Sequence, residues 1–136
     1  MEQGYREIPH TADVELEVWG KDLPELFTHA AQGLFSLAVR FDPEPRISAH
    51  RVINLSAPDW ETLLVDWLNE LILLSDENEE AYVAFEVELP GVGQLSARAC
   101  ATTDFTRTKV VKAATFHNLT IKEGPEGVRA TIVFDV

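Results

Sequence analysis

Val14, Leu16 and Val18 alternate with Asp13, Glu15, Glu17 and Trp19. A period of two predicts a half-buried strand with its acidic residues on the outer face. Tyr5 to Ile8, ahead of Pro9, reads as a shorter strand. After Gly20 the period changes: Leu23, Leu26, Phe27, Ala30, Leu34, Phe35 and Ala38 recur at helical spacing and predict an amphipathic helix ending near Arg40. Asp22 is placed to cap it, with Glu25 at the capping-box position and Pro24 tolerated in the first turn.

Asp42-Pro43-Glu44-Pro45 breaks the chain, because two prolines with fixed φ cannot continue a helix. A strand is expected from Ile47 to Leu55. Ser56-Ala57-Pro58-Asp59 is then a second cap signal ahead of Trp60, Leu63, Leu64, Trp67, Leu68 and Leu71, a heavily apolar helix expected at the centre of the core. Beyond Ser75-Asp76-Glu77-Asn78-Glu79-Glu80, the runs Tyr82 to Leu89 and Gln94 to Ala101 flank Pro90-Gly91-Val92-Gly93 as a hairpin. Further strands are expected at Val110 to Phe116, Leu119 to Lys122 and Val128 to Val136. In the last, Val128, Ala130, Ile132, Phe134 and Val136 point one way and Arg129, Thr131, Val133 and Asp135 the other.

Strands joined by hairpins imply an antiparallel sheet, and two helices must cover one of its faces, so the fold class is α+β. With 136 residues, 46% of them hydrophobic, residues 1–136 are expected to form one domain with its own core. The first residues carry no basic leader or apolar run, and the apolar stretches fall short of the ~20 residues needed to cross a bilayer. A soluble, unprocessed, cytoplasmic protein is expected. Cys100 is the single cysteine, which excludes an internal disulfide.

Charge narrows the function classes. Lys and Arg number 11 against 23 Asp and Glu, a formal net charge of −12. Such a surface repels a phosphate backbone, which disfavours direct nucleic-acid binding; it either suits hard cations and basic protein partners or merely keeps a small protein soluble.

No catalytic nucleophile emerges. Cys100 lies in an alternating strand segment, where a small buried structural cysteine is the commoner outcome. His10, His29, His50 and His117 share no metal-ligand spacing, and His29 reads as structural within the first helix. Gly91-Val92-Gly93 lacks the strand-helix context and the lysine of a phosphate loop. Asp66, Asn69 and Glu70 fall within one turn of the second helix and could share a ligand or simply face solvent. Asp13 and Asp135 differ, each standing at a strand end on the face opposite its apolar residues. If those strands are neighbours, two side-chain carboxylates and the terminal carboxylate of Val136 converge, a hard-oxygen set suited to Ca²⁺, Mg²⁺ or Mn²⁺.

Tyr5-Arg6-Glu7-Ile8-Pro9-His10-Thr11-Ala12-Asp13, followed by a strand, Gly20 and the Leu26-Phe27 helix, resembles the amino-terminal signature of archeases. Leu63-Leu64-Val65-Asp66-Trp67-Leu68-Asn69-Glu70-Leu71 is similar to the second helix of that family. Val111-Lys112-Ala113-Ala114-Thr115-Phe116-His117-Asn118-Leu119 resembles its Lys-Ala-x-Thr-aromatic-His segment, and Val133-Phe134-Asp135-Val136 its ending. The resemblance implies a non-enzymatic accessory protein of RtcB-type RNA ligases, which join RNA ends left by tRNA splicing or cleavage using GTP and a divalent metal. The role it implies is to promote ligase guanylylation and multiple turnover and to broaden nucleotide use. It also implies a bound metal, calcium in the family, held by Asp13, Asp135 and Val136. At Cys100-Ala101, where many archeases have Gly-Glu, this chain has neither residue, so no role of that glutamate is carried over. Lys112 matches, without an assigned role. Two rival readings are a small metal-dependent hydrolase using Asp13 and Asp135 and a chaperone-like interaction module, supported by the acidic surface.

Overall fold

The computed structural model describes residues 4–8 and 13–136; Pro9, His10, Thr11 and Ala12 of the amino-terminal signature lie outside them. The first two strands, β1 (Tyr5–Ile8) and β2 (Val14–Gly20), pair antiparallel. Burial along β2 alternates residue by residue, as its period of two requires, with Val14, Leu16 and Val18 inside.

Helix α1 (Leu23–Ala38) begins at Asp22, whose side chain accepts from Glu25 N at 3.0 Å, while Glu25 Oε1 accepts from Lys21 N at 3.0 Å. Such a cap is worth ~1 kcal/mol. The helix stops two residues short of Arg40, because Val39–Phe41 forms a short strand, β3, paired with Phe105–Arg107, β7. A β-branched and an aromatic residue fit that pairing, and their partner lies too far along the chain for local periodicity to reveal it. At Gly33 any Cβ would collide with Leu16 and Tyr5, so the absence of a side chain lets α1 lie close against β1 and β2.

After β4 (Ala49–Ser56), helix α2 (Trp60–Asn78) is capped by Asp59, whose carboxylate accepts from Thr62 N at 2.7 Å. It runs on through the polar stretch Ser75 to Asn78. Ser75 is buried there, and its hydroxyl donates to Glu80 O as the chain turns through Glu79 in the left-handed region, φ 52°. β5 (Ala81–Glu88) and β6 (Gln94–Thr102) form the expected hairpin, with a bulge between Tyr82 and Ala84. The remaining strands are shorter than expected at β8 (Ala113–Thr115) and displaced at β9 (Lys122–Gly124), and β10 spans Gly127–Asp135.

All strand pairs are antiparallel. The class is α+β as expected, but the strands divide among three sheets instead of one: β1-β2-β10-β8 with β9 also on β10, β4-β6-β5, and the β3-β7 ribbon. Helix α1 packs on β2 and β5, and α2 on β8, β4 and α1. Trp67 and Leu68 are fully buried as expected, and Trp67 Nε1 donates to Phe27 O at 3.0 Å, joining the two helices. Among the described residues no helix is long and apolar enough to cross a membrane.

Candidate metal centre

The end of one ladder decides where the singled-out carboxylates lie. β2 and β10 run antiparallel with Val128 opposite Gly20, Ala130 opposite Val18, Ile132 opposite Leu16 and Phe134 opposite Val14. These residues face the core. The intervening ones, Glu15, Glu17 and Trp19 with Val133, Thr131 and Arg129, occupy the other face. Continued one step past the last pair, Phe134–Val14, the register would set Asp13, in the bend before β2, opposite Asp135, with Val136 next in the chain. Asp13 is half-buried with its Oδ1 shielded from solvent, whereas Asp135 and Val136 are exposed.

Hydrogen bonds hold this end in place. Lys112 N donates to Asp135 O at 2.8 Å. Thr115 Oγ1 donates to Val133 O at 3.1 Å and accepts from His117 N at 3.3 Å, so the threonine of the Lys-Ala-x-Thr segment pins β8 to β10. From α2, the Asn69 amide takes both backbone groups of Ala114, at 2.8 and 3.2 Å. That bonding corrects the idea of a ligand shared by Asp66, Asn69 and Glu70: the Asn69 amide is engaged by the backbone. The supporting roles of Asn69 and Thr115 had no local signature, since each depends on a partner strand remote in sequence.

Farther along the outer face the charges are balanced. Glu17 lies 3.0 Å from Arg6 and 3.3 Å from Arg129, whose guanidinium sits 5.6 Å over the Trp19 ring. Among the described residues no Lys or Arg forms an ion pair with Asp135. Like charges directly opposed on a sheet repel, and carboxylate oxygens are the donors that Ca²⁺, Mg²⁺ and Mn²⁺ prefer. Among the described residues no three His, Cys, Asp or Glu side chains converge. An ion here would rest on Asp13, Asp135 and the terminal carboxylate, and that donor set fits a hard divalent cation.

Other candidates resolve differently. His29 Nδ1 lies 2.6 Å from Trp19 O; a carbonyl only accepts, so the proton is on Nδ1 and the ring is structural, as expected. Cys100 is half-buried, not buried. Alternation along β6 sends Leu95, Ala97, Ala99 and Ala101 into the core and leaves Cys100 on the opposite face, across from His50. Lys112 is exposed. A cluster that sequence reading missed surrounds Glu80, which is only 3% exposed. Arg51 grips its carboxylate with bonds of 2.7 and 2.8 Å, and Tyr82 OH donates to it at 2.7 Å. The Arg51 hydrogen bonds hold the Glu80 carboxyl below its ordinary range against the opposing effect of burial. Burial and the same carboxylate push the Tyr82 hydroxyl up.

With this geometry in hand, known proteins can be set beside the chain. The model of the archease protein family matches residues 5–136. A protein archease of Archaeoglobus fulgidus is 33% identical over 138 residues, covering 97% of this chain and 98% of that one. One from Methanosarcina acetivorans is 31% identical over 140 residues, covering 97% and 95%. Among solved structures, protein 1598 of Methanobacterium thermoautotrophicum superposes with a TM-score of 0.80 at 25% identity, over 99% of this chain and 100% of that one. A Thermotoga maritima archease, described as a possible chaperone, shares the fold with a TM-score of 0.68 at 22% identity over 96% of each chain.

Proposed function

The chain belongs to the archease family, and on that premise we propose that it is a non-enzymatic, metal-binding activator of an RtcB-type RNA ligase. In this reading it promotes guanylylation and multiple turnover of the ligase in tRNA splicing or RNA repair, in the cytoplasm, and broadens nucleotide use. The observation that supports the reading is the β2–β10 pairing, which ends with Val14 opposite Phe134, the sequence neighbours of Asp13 and Asp135. Asp13, Asp135 and the Val136 carboxylate would hold the ion, Ca²⁺ or in its place Mg²⁺ or Mn²⁺. A bound divalent cation would neutralise the opposed carboxylates and offer its remaining coordination positions to oxygen donors of a partner. The net charge of −12 supports docking to a basic, RNA-binding enzyme rather than to RNA itself.

The test is ligation by the cognate RtcB-type ligase at substoichiometric enzyme, with and without this protein. Activation should appear as multiple turnover, and should be lost in Asp13→Asn. Ligation that is indifferent to the protein removes the activator reading. A chaperone-like interaction module is the second reading, favoured by the description of the Thermotoga maritima relative as a possible chaperone. It predicts protection of unrelated proteins from aggregation, with Asp13→Asn as protective as the parent.

A further inference from the structure

β8 is three residues long and stands at the edge of its sheet. A strand so short, bonded on one side only, frays readily. Its far side is met by Asn69 on α2, whose carbonyl accepts from Ala114 N at 2.8 Å and whose NH₂ donates to Ala114 O at 3.2 Å. This is the pair of bonds that a neighbouring strand would offer to one residue. Ala114 is in turn the register partner of Phe134, Ala113 that of Asp135, and Lys112 N donates to Asp135 O at 2.8 Å.

We infer that Asn69 is a positioning residue for the carboxylate end of β10: by standing in for an absent strand it fixes β8, and β8 fixes Asp135 and Val136. Its consequence for metal binding rests on the reading above, whereas its consequence for the strand end does not. Both halves of the amide are needed. Aspartate would keep the acceptor but turn a negative charge toward Ala114 O, and an apolar residue would leave both backbone groups without a bond.

The test sets Asn69→Ala beside Ser75→Ala, a lesion on the same helix whose hydroxyl serves the Glu80 carbonyl instead. Both should lower the thermal midpoint. Only Asn69→Ala should weaken Ca²⁺ binding, by about tenfold or more in calorimetry, the usual effect of losing a supporting partner. Only Asn69→Ala should speed hydrogen exchange of the Lys112 amide in metal-free protein. Parental Ca²⁺ affinity in Asn69→Ala, or an equal loss in both variants, overturns the inference. If the parent itself binds no Ca²⁺, the metal reading fails and exchange decides: selective loss of Lys112 protection upholds the positioning role, and unchanged protection overturns it. Asn69→Asp, with the same two readouts, serves if the alanine variant does not fold.

Discussion

The Glu80 cluster and the Asp13–Asp135 end treat carboxylates in opposite ways. Glu80 is buried, and the protein supplies its countercharge from within, through Arg51 and the Tyr82 hydroxyl. Beyond the Phe134–Val14 pair that ends the β2–β10 ladder, Asp135 and Val136 are exposed to solvent, and there the proposed ion would be held. A carboxylate removed from water must have its partner built in, since an isolated buried charge is prohibitively costly. A carboxylate left at the surface, as Asp135 is, keeps its water and can take a cation from solution. The first arrangement therefore stabilises the fold, and the second is open to exchange with its surroundings.

The largest effect should come from breaking the internal pair. Arg51→Ala strands the Glu80 carboxylate and should cost about 3 kcal/mol in urea unfolding, at the low end of the ~3–5 kcal/mol for such lesions. The low end applies because the Arg51 side chain is 34% exposed. Ca²⁺ affinity should be unchanged, and a parallel loss of affinity would mean that the two regions are not independent.

Removing a carboxylate from the strand end should do the reverse. Asp135→Asn should weaken Ca²⁺ binding by more than the ~10-fold that loss of a supporting partner costs. In metal-free buffer the thermal midpoint should hardly move, because Asp135 is exposed. A large fall in the metal-free midpoint would mean that Asp135 serves the fold and not an ion.

Acid sharpens the contrast. Because the Glu80 carboxyl is depressed in the fold, its contribution is full above the unfolded value of ~4.3 and is lost as pH falls through the lower folded value. Glu80→Gln should therefore flatten the acid limb of the metal-free stability curve. It should leave the acid loss of Ca²⁺ affinity untouched, because that loss reflects protonation of the ligands themselves. If calorimetry across pH shows the affinity profile moving with Glu80→Gln, the assignment of the two effects is wrong.

The smallest intervention is one glycine added after Val136. It moves the terminal carboxylate ~3.3–3.6 Å and leaves a neutral carbonyl behind. Ca²⁺ binding should weaken while the metal-free thermal midpoint hardly moves. Undiminished binding by the extended chain would leave Asp13 and Asp135 without the third donor.

Legibility followed the range of the interactions. The period-two burial of β2, the caps at Asp22 and Asp59 and the buried face around Trp67 were readable, because each is set by residues within a turn or two. β3 and β7 were missed, since neither exists without the other. The end of α2 at Asn78 had no sharp signal, because Ser75 is held by Glu80 O and Arg107, contacts invisible in a polar run. Cys100 was assigned to the wrong side of its strand: alternation is plain in the sequence, but small residues on both faces hide which face is the core.

Of the candidate metal centre, the sequence by itself determined the donor types and their strand-end positions, since composition and a period of two are properties of the chain alone. Only the tertiary structure decided that β2 and β10 are neighbours in a register that ends with Val14 opposite Phe134, and that the Asn69 amide bonds both backbone groups of Ala114. Strand pairing joins residues remote in sequence, and its register is fixed by which apolar side chains must share a core, a condition that exists only once the whole chain has folded.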